Sequence, residues 1–129
     1  MNILVVDDSG LIRRAISKIV TVCGYKPLEA GNGAECLIQL RKHESSIALI
    51  LLDWNMPVMD GYDVLVKIRS EERYNHIPII MATADGVAED VVKAIKAGAD
   101  SYMVKPFTPE SLKERINEVL SGQKATETE

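Results

Sequence analysis

The chain has little of what marks several protein classes. Only two of its 129 residues are cysteine, Cys23 and Cys36. Each falls within an apolar helical pattern, so both are predicted to be buried, reduced thiols rather than members of a disulfide framework. The two histidines, His43 and His76, lie in polar stretches and are read as solvated. Without a His/Cys cluster, zinc is disfavoured. There is no basic surplus: 15 Lys and Arg against 19 Asp and Glu leave a net charge of −4. A general nucleic-acid binder would carry a basic patch or stripe, so nucleic acid is not expected as a partner. No apolar run approaches the ~20 residues needed to span a bilayer. No signal-peptide pattern appears either, because Met1-Asn2 runs straight into Ile3–Val6 and stops at Asp7-Asp8. A cytoplasmic protein with no membrane contact is the expectation.

What is present is ordinary for one folded domain. Hydrophobic residues make up 47% and charged residues 26%, which excludes a wholly disordered chain. A domain of this size buries roughly two-thirds of its unfolded surface, so neither metal nor disulfide is needed to hold its core. Residues 1–121 are read as that domain, and 122–129 as a polar, disordered tail.

Short apolar runs alternate with amphipathic stretches along the chain. Strands are predicted at Ile3–Val6, Tyr25–Ala30, Ile47–Leu52, Pro78–Ala82 and Ser101–Val104. Between them, helical spacing places Ile12, Ile16, Ile19 and Cys23 on one stripe, and Val87, Val91, Ala94 and Ile95 on another. Further helices are predicted at Ala34–Lys42, Gly61–Glu71 and after Thr108, a capping residue followed by Pro109. The last helix turns Leu112, Ile116, Val119 and Leu120 inward. Six successive apolar residues, Ile47 to Leu52, mark a strand buried on both faces. Five βα units in succession imply an α/β, doubly wound, five-stranded parallel sheet with five helices. Periodicity does not order the strands, but Pro27 argues for strand two at an edge, which is compatible with 2-1-3-4-5.

Ligands of open α/β sheets bind beyond the carboxyl ends of the strands. Asp7 and Asp8 follow strand one, Asp53 strand three, Thr83 strand four and Lys105 strand five. Each alone has an ordinary reading: Asp7-Asp8 as helix caps, Asp53 as a loop carboxylate, Thr83 as the cap of helix four. Their joint placement on one rim points to chemistry. Three carboxylates against one ammonium leave about two negative charges, which suits a hard divalent ion such as Mg2+. A metal-bound carboxylate beside a lysine and a hydroxyl can attack a phosphoryl group.

The segments Leu4-Val5-Val6-Asp7-Asp8, Leu52-Asp53-Trp54-Asn55-Met56-Pro57-Val58-Met59-Asp60-Gly61, Met81-Ala82-Thr83-Ala84 and Val104-Lys105-Pro106-Phe107 resemble the motifs of response-regulator receiver domains. The resemblance implies the flavodoxin-like strand order 2-1-3-4-5. It also implies a two-component phosphorelay role in which a histidine kinase phosphorylates Asp53. In that family's pattern Asp8 and Asp53 ligate Mg2+ (Mn2+ can substitute) together with the Asn55 backbone carbonyl. Asp7 holds the ion through water, Lys105 pairs with the phosphate, and Thr83 and Tyr102 are the switch residues. Lys105-Pro106 matches a cis peptide, and Asn55 and Asp85 match positions that tune dephosphorylation. The implied activity is self-phosphorylation and slow autodephosphorylation with no separate substrate.

The segment after Asp53 and Tyr102 look most similar to the stand-alone chemotaxis (CheY-like) subgroup, whose members act on the flagellar motor switch. The implied partners are the kinase, a downstream protein such as the motor switch or a histidine phosphotransfer protein, and a phosphatase, with the chain itself a monomer. Chemotaxis members often carry lysines at the start of helix four. Here Gly86-Val87-Ala88-Glu89-Asp90 is acidic and apolar, which implies an altered partner surface. The competing readings are a stand-alone phosphorelay intermediate or phosphate sink, which the core motifs do not separate from chemotaxis, and a phosphorylation-silent receiver acting only as a binding module. The complete set Asp7, Asp8, Asp53, Thr83 and Lys105 argues against the silent receiver. A flavin module on the same fold is disfavoured because no Ser/Thr/Gly-rich phosphate loop follows strand one.

Overall fold

The structure, a computed structural model, describes residues 1–84 and 86–122. Asp85 and most of the tail predicted at 122–129 therefore lie outside the described residues. Among the described residues ten main elements alternate: β1 (Asn2–Val6), α1 (Gly10–Val22), β2 (Lys26–Ala30), α2 (Gly33–His43), β3 (Ile47–Asp53), α3 (Gly61–Arg69), β4 (Ile79–Thr83), α4 (Ala88–Ala97), β5 (Ser101–Val104) and α5 (Pro109–Leu120). Every strand pair is parallel, and the order is β2-β1-β3-β4-β5. Pro27 thus lies on an edge strand, opposite Ile3, where its missing N–H leaves the rest of the ladder intact.

Alternation along each strand sorts the core into two layers. Ile3, Val5, Leu49, Leu51, Ile80 and Met103 face α1 and α5, meeting Ile16, Val20, Leu112 and Ile116. Leu4, Val6, Ile50, Leu52, Ile79 and Met81 face the other way, onto Cys36, Leu40, Val64, Leu65 and Ile68 of α2 and α3. The two interleaved sets explain why β3 reads as an unbroken apolar run.

Three local expectations need correction. Ile12 is 41% exposed, so the buried stripe of α1 starts at Ile16 and includes Val20. Ile12 belongs to the first turn, before the helix has come back over the sheet. Cys23 is only half-buried, because α1 has ended at Val22; Cys36 is fully buried, and burial pushes its thiol up to about 12. Val87 is 47% exposed and precedes α4, which buries only Ala94 fully. The last helix is as expected: Thr108 and Ser111 form a reciprocal cap with Pro109 in the first turn.

Candidate functional site

Parallel strands all deliver their carboxyl ends to one rim, so the residues just after them meet although far apart in sequence. Asp53 is the last residue of β3 and is 3% exposed; Asp7 follows β1 and is 2% exposed. The Lys105 ammonium, arriving after β5, donates to Asp53 Oδ1 at 2.8 Å and to Asp7 Oδ2 at 2.9 Å. Asp8 completes the group from an exposed position, and carboxylate oxygens of Asp7, Asp8 and Asp53 lie within 4.8 Å of one another. Among the described residues this is the one cluster of three or more potential metal ligands.

Local interactions hold each carboxylate. Ser9, not the aspartates, caps α1, its hydroxyl accepting from Ile12 N–H at 3.3 Å, which leaves Asp7 and Asp8 available to the rim. The Asp7 Oδ1 accepts from Ser9 N–H at 2.9 Å, and the Asp7 main-chain carbonyl accepts from Arg13 Nη1 at 2.7 Å. Asn55 bridges two loops: its N–H donates to Asp53 Oδ1 at 3.3 Å and its Oδ1 accepts from Ala84 N–H at 3.2 Å. Thr83 ends β4, 6% exposed, and does not cap α4; its carbonyl accepts from Lys105 N–H at 2.8 Å. The Lys105-Pro106 peptide is cis. Tyr102 is half-buried on β5, beside Met81 across the ladder, with the Arg115 guanidinium 5.8 Å from its ring centroid.

Sequence reasoning gave no role to Gly61, although Asp60-Gly61 closes the motif. A Cβ there would collide with the Asp53 carbonyl and sit 2.8 Å from Trp54 Cα. The Gly61 N–H also donates to the Trp54 carbonyl at 2.8 Å, so glycine lets the start of α3 press against the end of β3. The signal was legible as a glycine directly after a capping aspartate, but its close neighbour was not.

Burial raises the Asp53 carboxyl above its usual range, and the nearby Asp7 charge adds to this; the Lys105 hydrogen bond and charge pull the other way without cancelling it. For Lys105, burial lowers the ammonium, yet its hydrogen bonds to Asp53 and Asp7 and their charges outweigh that, and the net direction is up. The cluster therefore holds a charged lysine between two buried acids, with a third acid exposed beside them. Three carboxylates and one ammonium leave two uncompensated negative charges. An all-oxygen donor set with that excess fits a hard divalent cation such as Mg2+.

Known proteins carry the same arrangement of segments. The response regulator receiver domain model matches residues 3–117. A chemotaxis protein CheY homolog of Campylobacter jejuni is 44% identical over 131 residues, covering 98% of this chain and 100% of that protein. Among solved structures, the Vibrio cholerae chemotaxis response regulator CheY4 superposes with a TM-score of 0.84 at 34% identity, over 92% of this chain and 97% of its own. A CheX–CheY–BeF3–Mg complex from Borrelia burgdorferi gives 0.86 at 30% identity, over 92% of this chain and 88% of that chain. The matched segments, the strand order and the acidic rim agree, and the chain belongs to the response-regulator receiver domain family, as a CheY-like member aligned over nearly its whole length with chemotaxis proteins.

Proposed function

We propose that the chain is a phosphorylation switch in a two-component pathway, with Asp53 as the acceptor. The observation that carries this reading is the Lys105 ammonium shared between Asp53 and Asp7 at the rim where three carboxylates converge. An oxygen of Asp53 attacks the phosphorus of a phosphohistidine on a histidine kinase. The O–P bond forms as the P–N bond breaks, and the imidazole leaves with the bonding pair, neutral because its other nitrogen carries a proton. Asp7, Asp8, Asp53 and the Asn55 main-chain carbonyl would hold Mg2+, or Mn2+ in its place, Asp7 through water. The ion would supply positive charge against the phosphoryl oxygens.

Lys105 then exchanges a carboxylate partner for a phosphoryl oxygen, and the Thr83 hydroxyl moves to donate to another. Tyr102 occupies the space that Thr83 leaves. These moves change the surface formed by α4, β5 and α5, and a partner reads it. Asn55 and Asp85 govern access of the hydrolytic water, so the protein catalyses its own phosphorylation and slow autodephosphorylation without turning over a separate substrate.

Near end-to-end alignment with chemotaxis proteins supports chemotaxis output in the cytoplasm, at the flagellar motor switch, with a phosphatase as a further partner. No helix among the described residues is long and apolar enough to cross a membrane. Intact mass after incubation with acetyl phosphate and Mg2+ tests the reading. One added phosphoryl group, absent without magnesium and absent in Asp53→Asn, is expected. An adduct retained in Asp53→Asn removes Asp53 from the role.

A further inference from the structure

The two residues after Asp53 lead in different directions. Asn55 turns back to the site, while Trp54, the chain's one tryptophan, leads away from it. The Trp54 backbone is locked to the core, its N–H donating to the Ala82 carbonyl at 2.8 Å and its carbonyl accepting from Gly61 N–H at 2.8 Å. Its indole stacks on Tyr62 of α3, with centroids 5.7 Å apart and planes inclined by 23°. On Tyr62 in turn sits the Lys93 ammonium of α4, 4.2 Å from the ring centroid. The result is a continuous ladder, Trp54–Tyr62–Lys93, from the residue next to Asp53 to the middle of α4. It shares no residue with the Thr83–Tyr102 route.

The rest of α4 makes this ladder matter. It begins at Ala88 with Val87 as its N-cap and no side-chain cap hydrogen bond. It fully buries one residue, Ala94, whereas α3 buries Gly61, Val64, Leu65 and Ile68. With Ile95 and Ala97 only partly buried against the core, α4 is held by less buried surface than α3, and a single well-placed side-chain contact is a larger share of what holds it. A lysine over a tyrosine ring is such a contact.

We infer that Tyr62 and Lys93 are positioning residues that pin α4 where it lies against α3, and that phosphorylation shifts α4 so as to break or weaken the Lys93–Tyr62 contact. This rests on the phosphorylation reading for its consequence, but the pin itself stands on the Lys93–Tyr62 and Trp54–Tyr62 contacts. A contact can bias a two-state element only by its difference between the states. A pin that activation must break therefore makes the active state harder to reach, and removing it eases activation.

The test uses the full chain and leaves every rim residue in place. Amide hydrogen exchange without ligand is compared in wild type, Lys93→Met, Lys93→Arg and Tyr62→Leu. Beryllofluoride affinity in the presence of Mg2+ is then measured for each by the midpoint of the Trp54 emission change. Lys93→Met and Tyr62→Leu are expected to speed exchange in α4 while leaving the sheet unchanged, and to tighten beryllofluoride binding by about threefold. Lys93→Arg, which keeps a cation over the ring, is expected to restore both. Unchanged α4 exchange in Lys93→Met, or beryllofluoride binding that is unchanged or weaker, overturns the inference. A general packing defect would loosen the sheet as well and would not tighten binding. If wild type itself gives no beryllofluoride response, the Asp53 reading fails, and the exchange data alone decide whether the pin exists.

Discussion

The sheet carries a buried ion cluster at each end, and the two are built from the same ingredients to opposite effect. At the amino ends of β4 and β5, Arg69 donates to the carbonyls of Gly98, Tyr74 and Ile77 at 2.8–2.9 Å and to Asp100 at 3.1 Å. Asp100 also accepts from Ile79 N–H at 2.8 Å. Cation and anion cancel, and the guanidinium is surrounded by acceptors. At the carboxyl ends, the Lys105 ammonium faces the carboxylates of Asp7, Asp8 and Asp53. A neutral cluster rich in hydrogen bonds acts as a staple, tying the end of α3 to the loops that enter β4 and β5. A cluster with excess negative charge fits a divalent cation and, in the proposed function, the phosphoryl group that Asp53 accepts. The backbone repeats the contrast. The left-handed position beside the staple is Gly98, at φ +113, where a Cβ would press on the Arg69 side chain. In the loop that follows Asp53 the left-handed position is Val58, a β-branched residue at φ +68.

The largest effect should come from breaking the staple. Arg69→Ala leaves Asp100 charged and buried and removes the donor from three carbonyls. Urea unfolding is expected to show a loss of about 3 kcal/mol or more. The melting temperature should fall by on the order of 10 °C. A loss within about 1 kcal/mol, in the range of exposed pairs, would remove the distinction between the two ends.

Breaking the rim should do the reverse. Because the folded Asp53 carboxyl titrates above its ordinary value of 3.8, the folded protein binds this proton more tightly than the unfolded chain does. The associated stability is full below that ordinary value and is lost as pH rises through the raised one. At neutral pH the carboxylate is therefore a net cost, and Asp53→Asn should be more stable than wild type by about 1 kcal/mol while accepting no phosphoryl group. Denaturation curves at successive pH values should show the two proteins converging as the medium is acidified. A gap that widens on acidification would reverse the sign of the burial argument.

The smallest effect concerns the loop. Val58→Gly relieves a left-handed valine, and the gain is offset by glycine's greater freedom when unfolded. A net stabilisation of about 0.5 kcal/mol by thermal or urea melts is expected. Loss of stability in this variant would show that the fully exposed Val58 side chain makes a contribution that outweighs its backbone strain.

Much of this was legible before the structure. Alternating apolar runs, Pro27 and the cap Thr108 set the elements to within a few residues, because each acts on its own neighbours. Asp7, Asp8, Asp53, Thr83 and Lys105 stood out because each directly follows or ends an apolar run, and the structure brings Asp7, Asp8, Asp53 and Lys105 into one cluster. Less legible were the first turn of α1 and the thin anchoring of α4, where apolar spacing at Ile12 and Val87 overstated burial. The order of the middle strands came from the family likeness, since periodicity says nothing about which strand lies beside which.

By itself the sequence determined the number, type and order of the elements, the edge position of β2 and the residues that reach the functional rim. These follow from hydrophobic period, chain stiffness and capping, all forces that act over a few residues. Only the tertiary structure decided which groups meet: Lys105 with partners 52 and 98 residues away, Arg69 with Asp100, Gly61 against the Asp53 carbonyl, and Lys93 over Tyr62. Such contacts depend on how twisted strands and packed helices bring distant side chains within a few ångströms, and no local pattern in the chain encodes that distance.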